Sequence, residues 1–102
     1  MENFIVGNYI DINGTSLRGY VPENITYDDI VEKLGEPEYI GPPGCDKVQA
    51  QWSIEFSDGE AATIYDYKNY SKHFTHHSGD DWHIGGRHVD IVQRVHEILK
   101  NN

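Results

Sequence analysis

Apolar residues follow two distinct rhythms along this chain of 102 residues. Alternation is clearest from Lys47 onward. Val48, Ala50, Trp52, Ile54 and Phe56 share one face, while Gln49, Gln51, Ser53 and Glu55 share the other. That is the pattern of a half-buried strand. Ser57-Asp58-Gly59-Glu60 then turns the chain into a second β-prone run, residues 61–67, which predicts a central hairpin. Residues 4–12 and 15–21 are also β-prone and are separated by Asn13-Gly14. An Asn-Gly pair between such runs is a strong short-range hairpin signal, so a first hairpin is expected there.

Helical spacing occurs twice. Ile30, Val31 and Leu34 follow Thr26 and Asp29, which stand where a capping box places its two side chains, with Asp in the usual Glu or Gln position. Gly35 suits the position just past a helix, and Pro37 stops it, so a helix is predicted over 27–34. Val89, Ile91, Val92, Val95, Ile98 and Leu99 predict a second helix over 87–100. Pro37, Gly41, Pro42, Pro43 and Gly44 make 36–46 a rigid loop, and the polar, aperiodic stretch 68–81 reads as a mobile one. Trp82, His83 and Ile84 are expected to pair briefly with the sheet. The order ββ-α-ββ-(β)-α describes one α+β domain over 1–102: a small antiparallel sheet of about four to five strands with two helices packed on it.

Charge narrows the function classes. Seventeen acidic residues against eight basic ones give a formal charge of −9, which repels nucleic acid and anionic membranes. No direct DNA or RNA binding and no membrane association are expected. Such a surface either confers solubility or imitates nucleic acid against a basic partner. Cys45 is the only cysteine, and neither a signal peptide nor a membrane-length apolar run stands out, so an intracellular protein is expected. Seven tyrosines are an excess that suits surfaces both sticky and wet.

Chemistry concentrates in Asp80-Asp81-Trp82-His83-Ile84-Gly85-Gly86-Arg87-His88. An indole, imidazoles and a guanidinium beside paired glycines can stack on a flat ring and donate to phosphate or carbonyl oxygen. The competing reading makes Trp82 core, Gly85-Gly86 a plain turn and Arg87 solvated. Along 61–67, Ala62 and Ile64 form the more apolar face, which turns Tyr65 and Tyr67 outward and brings Asp66 inward to cap a backbone group or meet a cation. His73, His76, His77, His83 and His88 match no standard zinc spacing, so no metal and no cofactor are expected. The H-x-[ST] forms at His73 and His76 lie three residues apart, too close for two converging phosphoesterase motifs. Cys45 follows Pro-Pro-Gly with nothing to lower its pKa. A non-enzymatic protein is expected.

Gly35-Glu36-Pro37, Trp52 to Phe56, Asp58-Gly59, Ala62 to Lys68 and Trp82 to Gly86, in that order, resemble a group of small bacteriophage-encoded proteins. The resemblance covers roughly 19–99, and only the combined order of motifs is specific. The His-rich segment before Trp82 and the Pro-rich loop depart from it. Some small phage proteins of this kind are sponges that capture the cyclic nucleotide messengers of CBASS-type immunity without hydrolysing them. The resemblance therefore implies a counter-defence role in the host cytoplasm. A cyclic dinucleotide needs aromatic faces, cations and backbone donors. Tyr65, Tyr67, Trp82 and His83 are the candidate stackers, Arg87 and Lys68 the phosphate partners, and Gly85 and Gly86 the amide donors, with Arg18 and Tyr20 as further candidates. So large a ligand implies a pocket at a symmetric interface of a dimer or tetramer. The alternative is an acidic inhibitor, anti-CRISPR-like, that blocks a host nuclease or other defence protein by direct binding. Its candidate surface is Asp28, Asp29, Glu32, Glu36 and Glu38, which otherwise read as a solvated helix face.

Overall fold

The computed structural model describes residues 3–7, 10–22, 24–39, 50–66 and 82–100. Their elements run β1 (Phe4–Val6), β2 (Ser16–Tyr20), α1 (Tyr27–Leu34), β3 (Glu38–Tyr39), β4 (Ala50–Phe56), β5 (Ala61–Tyr65), β6 (His83–Gly86) and α2 (Ile91–Lys100). This is an α+β fold built on one antiparallel sheet. The strand order is β1-β4-β5-β6-β2, and β3 pairs with the start of β4.

The central hairpin forms as its alternation requires. Trp52 pairs with Ile64 and Ile54 with Ala62 on one face, and Gln51 pairs with Tyr65 and Ser53 with Thr63 on the other. Gly59 supplies the positive φ of its turn. The capping box forms too: Thr26 Oγ1 accepts from the Asp29 amide, and the Asp29 carboxylate accepts from the Thr26 amide.

The expected first hairpin does not form. Asn13-Gly14 does make a tight turn, with the Thr15 amide donating to Ile12 O at 3.1 Å and Gly14 at φ 82°. Its flanks nevertheless separate to opposite edges, since β1 pairs with β4 and β2 with β6. The turn signal specifies a local bend. Which strands it joins is decided by what each flank packs against. Between the two edges, residues 10–15 run as a strap over the face opposite the helices, where Ile12 and Thr15 stand beside Thr63 and Gly85.

Two further expectations are corrected. Residues 82–84 are no brief addition: β6 is an inner strand, hydrogen-bonded to β5 and β2 along its length. The C-terminal helix starts at Ile91 rather than at 87, because β6 continues through Gly86 and a turn at 88–90 intervenes, leaving Val89 71% exposed.

Both helices cover one face. Ile30, Leu34, Ile91, Val95, Ile98 and Leu99 close over Trp52, Ile54, Phe56, Ala62, Ile64 and Ile84. Tyr27, Trp52 and Trp82 form an aromatic cluster with ring centroids 5.2–6.0 Å apart. The Trp52 indole N–H donates to Gly35 O at 2.7 Å, tying the end of α1 to the sheet. Each such fully buried side chain contributes about 1.5–3 kcal/mol of apolar burial. Among the described residues, no helix is long and apolar enough to cross a membrane.

Candidate functional site

The face turned away from the helices carries the chemistry. Across four strands one register row reads Gln51, Tyr65, His83, Tyr20. The row beside it reads Ser53, Thr63, Gly85, Leu17. The first row is tall and the second mostly small, so a trough lies along the second row. The strap forms its far wall. Ile12, Thr15, Ser16, Gln51, Thr63, Tyr65 and Gly85 enclose a cavity of about 270 Å³.

The tall row is aromatic at its centre. The His83 ring lies edge-on to Tyr65 at 5.4 Å and to Tyr20 at 4.9 Å. Tyr65 and His83 are half-buried and Tyr20 is 50% exposed, so the row presents ring surface outward. Ile64 and Ala62 are buried and Tyr65 is turned away from them, as the face argument required. Asp66 is fully buried and accepts a hydrogen bond from the Ala50 amide at 3.0 Å, so the inward carboxylate caps a backbone group.

The other residues singled out by sequence divide differently. Trp82 is 0% exposed inside the aromatic cluster on the helix face, so it is core and cannot stack on a ligand. Gly85 and Gly86 form no turn. They lie inside β6, where their pairing partners are Thr63 and Ala62 on one side and Leu17 and Ser16 on the other. Only Gly14, Gly35 and Gly59 have positive φ among the described residues. The paired glycines serve close packing. A Cβ on Gly86 would collide with Ile91 Cγ2, and one on Gly85 would meet Thr63 Oγ1 at 2.5 Å. Tyr67 and Lys68 lie outside the described residues.

Both arginines hold backbone. Arg18 is the extra residue of a β-bulge between Leu17 and Gly19, and it donates to Gly86 O at 3.0 Å and Arg87 O at 2.9 Å. Arg87 reaches the strap, donating to Asn13 O at 2.9 Å and Asp11 O at 3.0 Å, with Glu60 3.8 Å away. Carbonyl acceptors do not neutralise a guanidinium, which has five N–H donors. Glu60 offsets the charge of Arg87, which leaves Arg18, held by carbonyls only, as the guanidinium at the Gly86 end of β6 with no carboxylate bonded to it among the described residues.

The acidic row also divides. Asp29 is spent on the helix cap and Glu36 accepts from the Tyr27 hydroxyl, while Asp28 and Glu32 remain exposed one turn apart. The side chain of Glu38 is outside the described set. Cys45, His73, His76 and His77 also lie outside it, and among the described residues no three potential ligands converge on a metal site. Asp58 bonds Arg94 at 3.1 Å, and that hydrogen bond holds its carboxyl below the ordinary 3.8.

Gln51, Thr63, Ser16 and the strap residues Ile12 and Thr15 were not among the candidates. The alternation did place Gln51 on the face away from the core, but nothing local could show that the strap would roof that face. Compared with known proteins, the chain matches no family model, no curated protein and no solved structure.

Proposed function

We propose that the protein is a non-enzymatic binder of a cyclic nucleotide messenger, with the trough as the seat of one base. The observation that carries this reading is the aromatic row beside a cavity that the glycine at 85 leaves open. Tyr65 offers the ring wall inside the cavity, and His83 and Tyr20 extend the flat surface beyond it. Arg18, held by backbone carbonyls, supplies positive charge at one end, toward which a phosphodiester is attracted despite the acidic whole. Phage counter-defence by sequestration is the role that the sequence resemblance adds.

Size supports sharing between two copies. Small-molecule pockets enclose about 300–1,000 Å³. At about 270 Å³, the trough falls at the lower limit and holds one ring system. A cyclic dinucleotide has two related by symmetry, so a two-fold dimer that faces two troughs matches it.

Thermal shift against a panel of cyclic di- and trinucleotides tests the reading. A ligand at about 100 times its dissociation constant adds about 2.7 kcal/mol of stability, which raises the midpoint of a domain this size by on the order of 10 °C. The expected result is such a shift with a messenger that chromatography recovers intact, and its loss in Tyr65→Ala. No shift with any member, or a hydrolysed ligand, overturns it and directs the search to a protein partner.

A further inference from the structure

We infer that the outer edge of β1 takes a short extended segment of a partner protein as an added strand, with a lysine or arginine set against Glu55. The two edges of the sheet are finished differently. At the β2 edge the bulge at Arg18 breaks the ladder, and His96 Nε2 donates to the outward carbonyl of Tyr20 at 2.8 Å. Among the described residues β1 has neither device, and only β4 pairs with it. A bare edge is a template for another strand, which is why proteins blunt the edges they do not use. Register shows what β1 presents. The Ser57 amide donates to Asn3 O and the Gly7 amide to Ser53 O, each at 3.1 Å, so residues 3, 5 and 7 turn their backbone groups to β4. The N–H and C=O of Phe4 and Val6 therefore point away from the sheet, spaced for an antiparallel partner.

The side chains beside that edge call for a cation. Phe4 pairs with Phe56, which is buried under the helices, so Ile5 and Glu55 share the opposite face. Asn3, Ile5, Glu55 and Ser57 line a groove of about 290 Å³ together with Gly59. Ile5 is 46% exposed, and the half-buried Glu55 meets no cation among the described residues. On an added strand, the residue opposite Ile5 projects onto this same face, two strand spacings or about 10 Å from Glu55. A lysine or arginine there lays its stem over Ile5 and brings its charge to the carboxylate. Its two neighbours fall beside Phe4 and Val6, where β-branched residues suit a strand. The formal charge of −9 draws such a segment in and repels a second copy of the chain. Main-chain bonds hold the segment and the groove selects its central residue, the division of labour of strand addition.

NMR titration of the full-length protein with the end-capped peptide Thr-Val-Lys-Val-Thr tests the proposal. One control peptide carries Glu in place of Lys, and another keeps Lys but has both valine amides N-methylated. The Lys peptide is expected to shift the Phe4 and Val6 amides and slow their hydrogen exchange. It is expected to bind about fivefold tighter than the Glu peptide at low salt, the scale of an exposed ion pair. In Glu55→Gln that difference is expected to fall below about twofold. The methylated peptide lacks the donors that face Phe4 and Val6, and is expected not to bind. The three peptides test the unaltered protein by themselves should Glu55→Gln fold poorly. Equal binding of the Lys and Glu peptides, or a difference kept in Glu55→Gln, overturns the cation. Undiminished binding of the methylated peptide, or shifts confined to other strands, overturns the edge pairing. Concentration-dependent protection of Phe4 and Val6 without peptide gives the edge to a second copy and overturns the proposal, as does failure of every peptide to bind.

Discussion

Individual residues in the Trp82–Arg87 window have distinct roles that their adjacency conceals. Trp82 belongs to the core, His83 to the outer face, Gly85 to the trough and Gly86 to the seat of α2. Trp82→Ala is therefore expected to lower stability by about 3–5 kcal/mol, since it removes one of the two indoles of the aromatic cluster and leaves a cavity. Gly86→Ala is expected to cost about 1–3 kcal/mol, because its Cβ falls on Ile91 and α2 must shift. Tyr65→Ala, half-buried with its ring edge-on to His83, is expected to cost about 0.5–3 kcal/mol, less than Trp82→Ala. Urea denaturation of the three variants separates them. A stable Trp82→Ala protein would contradict the core assignment. Alternation correctly identified the faces of β4 and β5, but it could not separate core from site in β6. Four residues are too short a run to reveal which neighbours each face will meet.

Among the elements, the strap over residues 10–15 depends most on a single side chain. Arg87 satisfies two of its carbonyls from the end of β6, and Thr15 Oγ1 closes the turn on Ile12 O at 2.8 Å. Hydrogen bonds from a charged donor contribute about 1.5–3 kcal/mol each when sheltered, less where exposed as here. Arg87→Ala is expected to speed hydrogen exchange at the Thr15 amide by tenfold or more, on the order of 1.4 kcal/mol of local stability, while amides of β4 and β5 keep their rates. Equal acceleration in both places would mean that Arg87 supports the whole domain instead. A second element contact reports through pH. Asp58, at the β4–β5 turn, accepts from Arg94 of α2, whose guanidinium also sits 4.2 Å over the Phe56 ring. Because the folded pKa is lowered, the stabilisation is present above the ordinary 3.8 and lost as pH falls through the lower folded value. In Arg94→Gln the carboxyl titration of Asp58, followed by NMR, is expected to move up toward 3.8; an unchanged titration would place the cause elsewhere.

At the scale of the whole molecule, the two helices cover one sheet face, and among the described residues the strap lies over the other. An apolar patch of any size there would promote aggregation. The face instead carries Gln51, Ser53, Glu55, Thr63 and His83 among its tyrosines, a mixture suited to a wet, specific contact. If two copies share one cyclic dinucleotide, the mass in solution depends on ligand. Sedimentation of the protein at micromolar concentration is expected to show a complex of two chains per ligand on addition of the binding messenger. A ligand-bound single chain would show that one trough suffices.

Local pattern determined the central hairpin, the capped first helix, the inward turn of Asp66 and the α+β class, because period-two alternation, a capping box and a buried carboxylate each act within a few residues. Tertiary structure alone decided that Asn13-Gly14 joins opposite edges of the sheet, that β6 is an inner strand, and that Arg18 and Arg87 hold backbone. It alone assembled Gln51, Thr63, Gly85 and Ile12 around one cavity. Those outcomes depend on contacts between residues as many as 76 positions apart, such as Arg87 with Asp11. A long-range contact is chosen by the packing of whole faces, and no short window of the chain contains both of its sides.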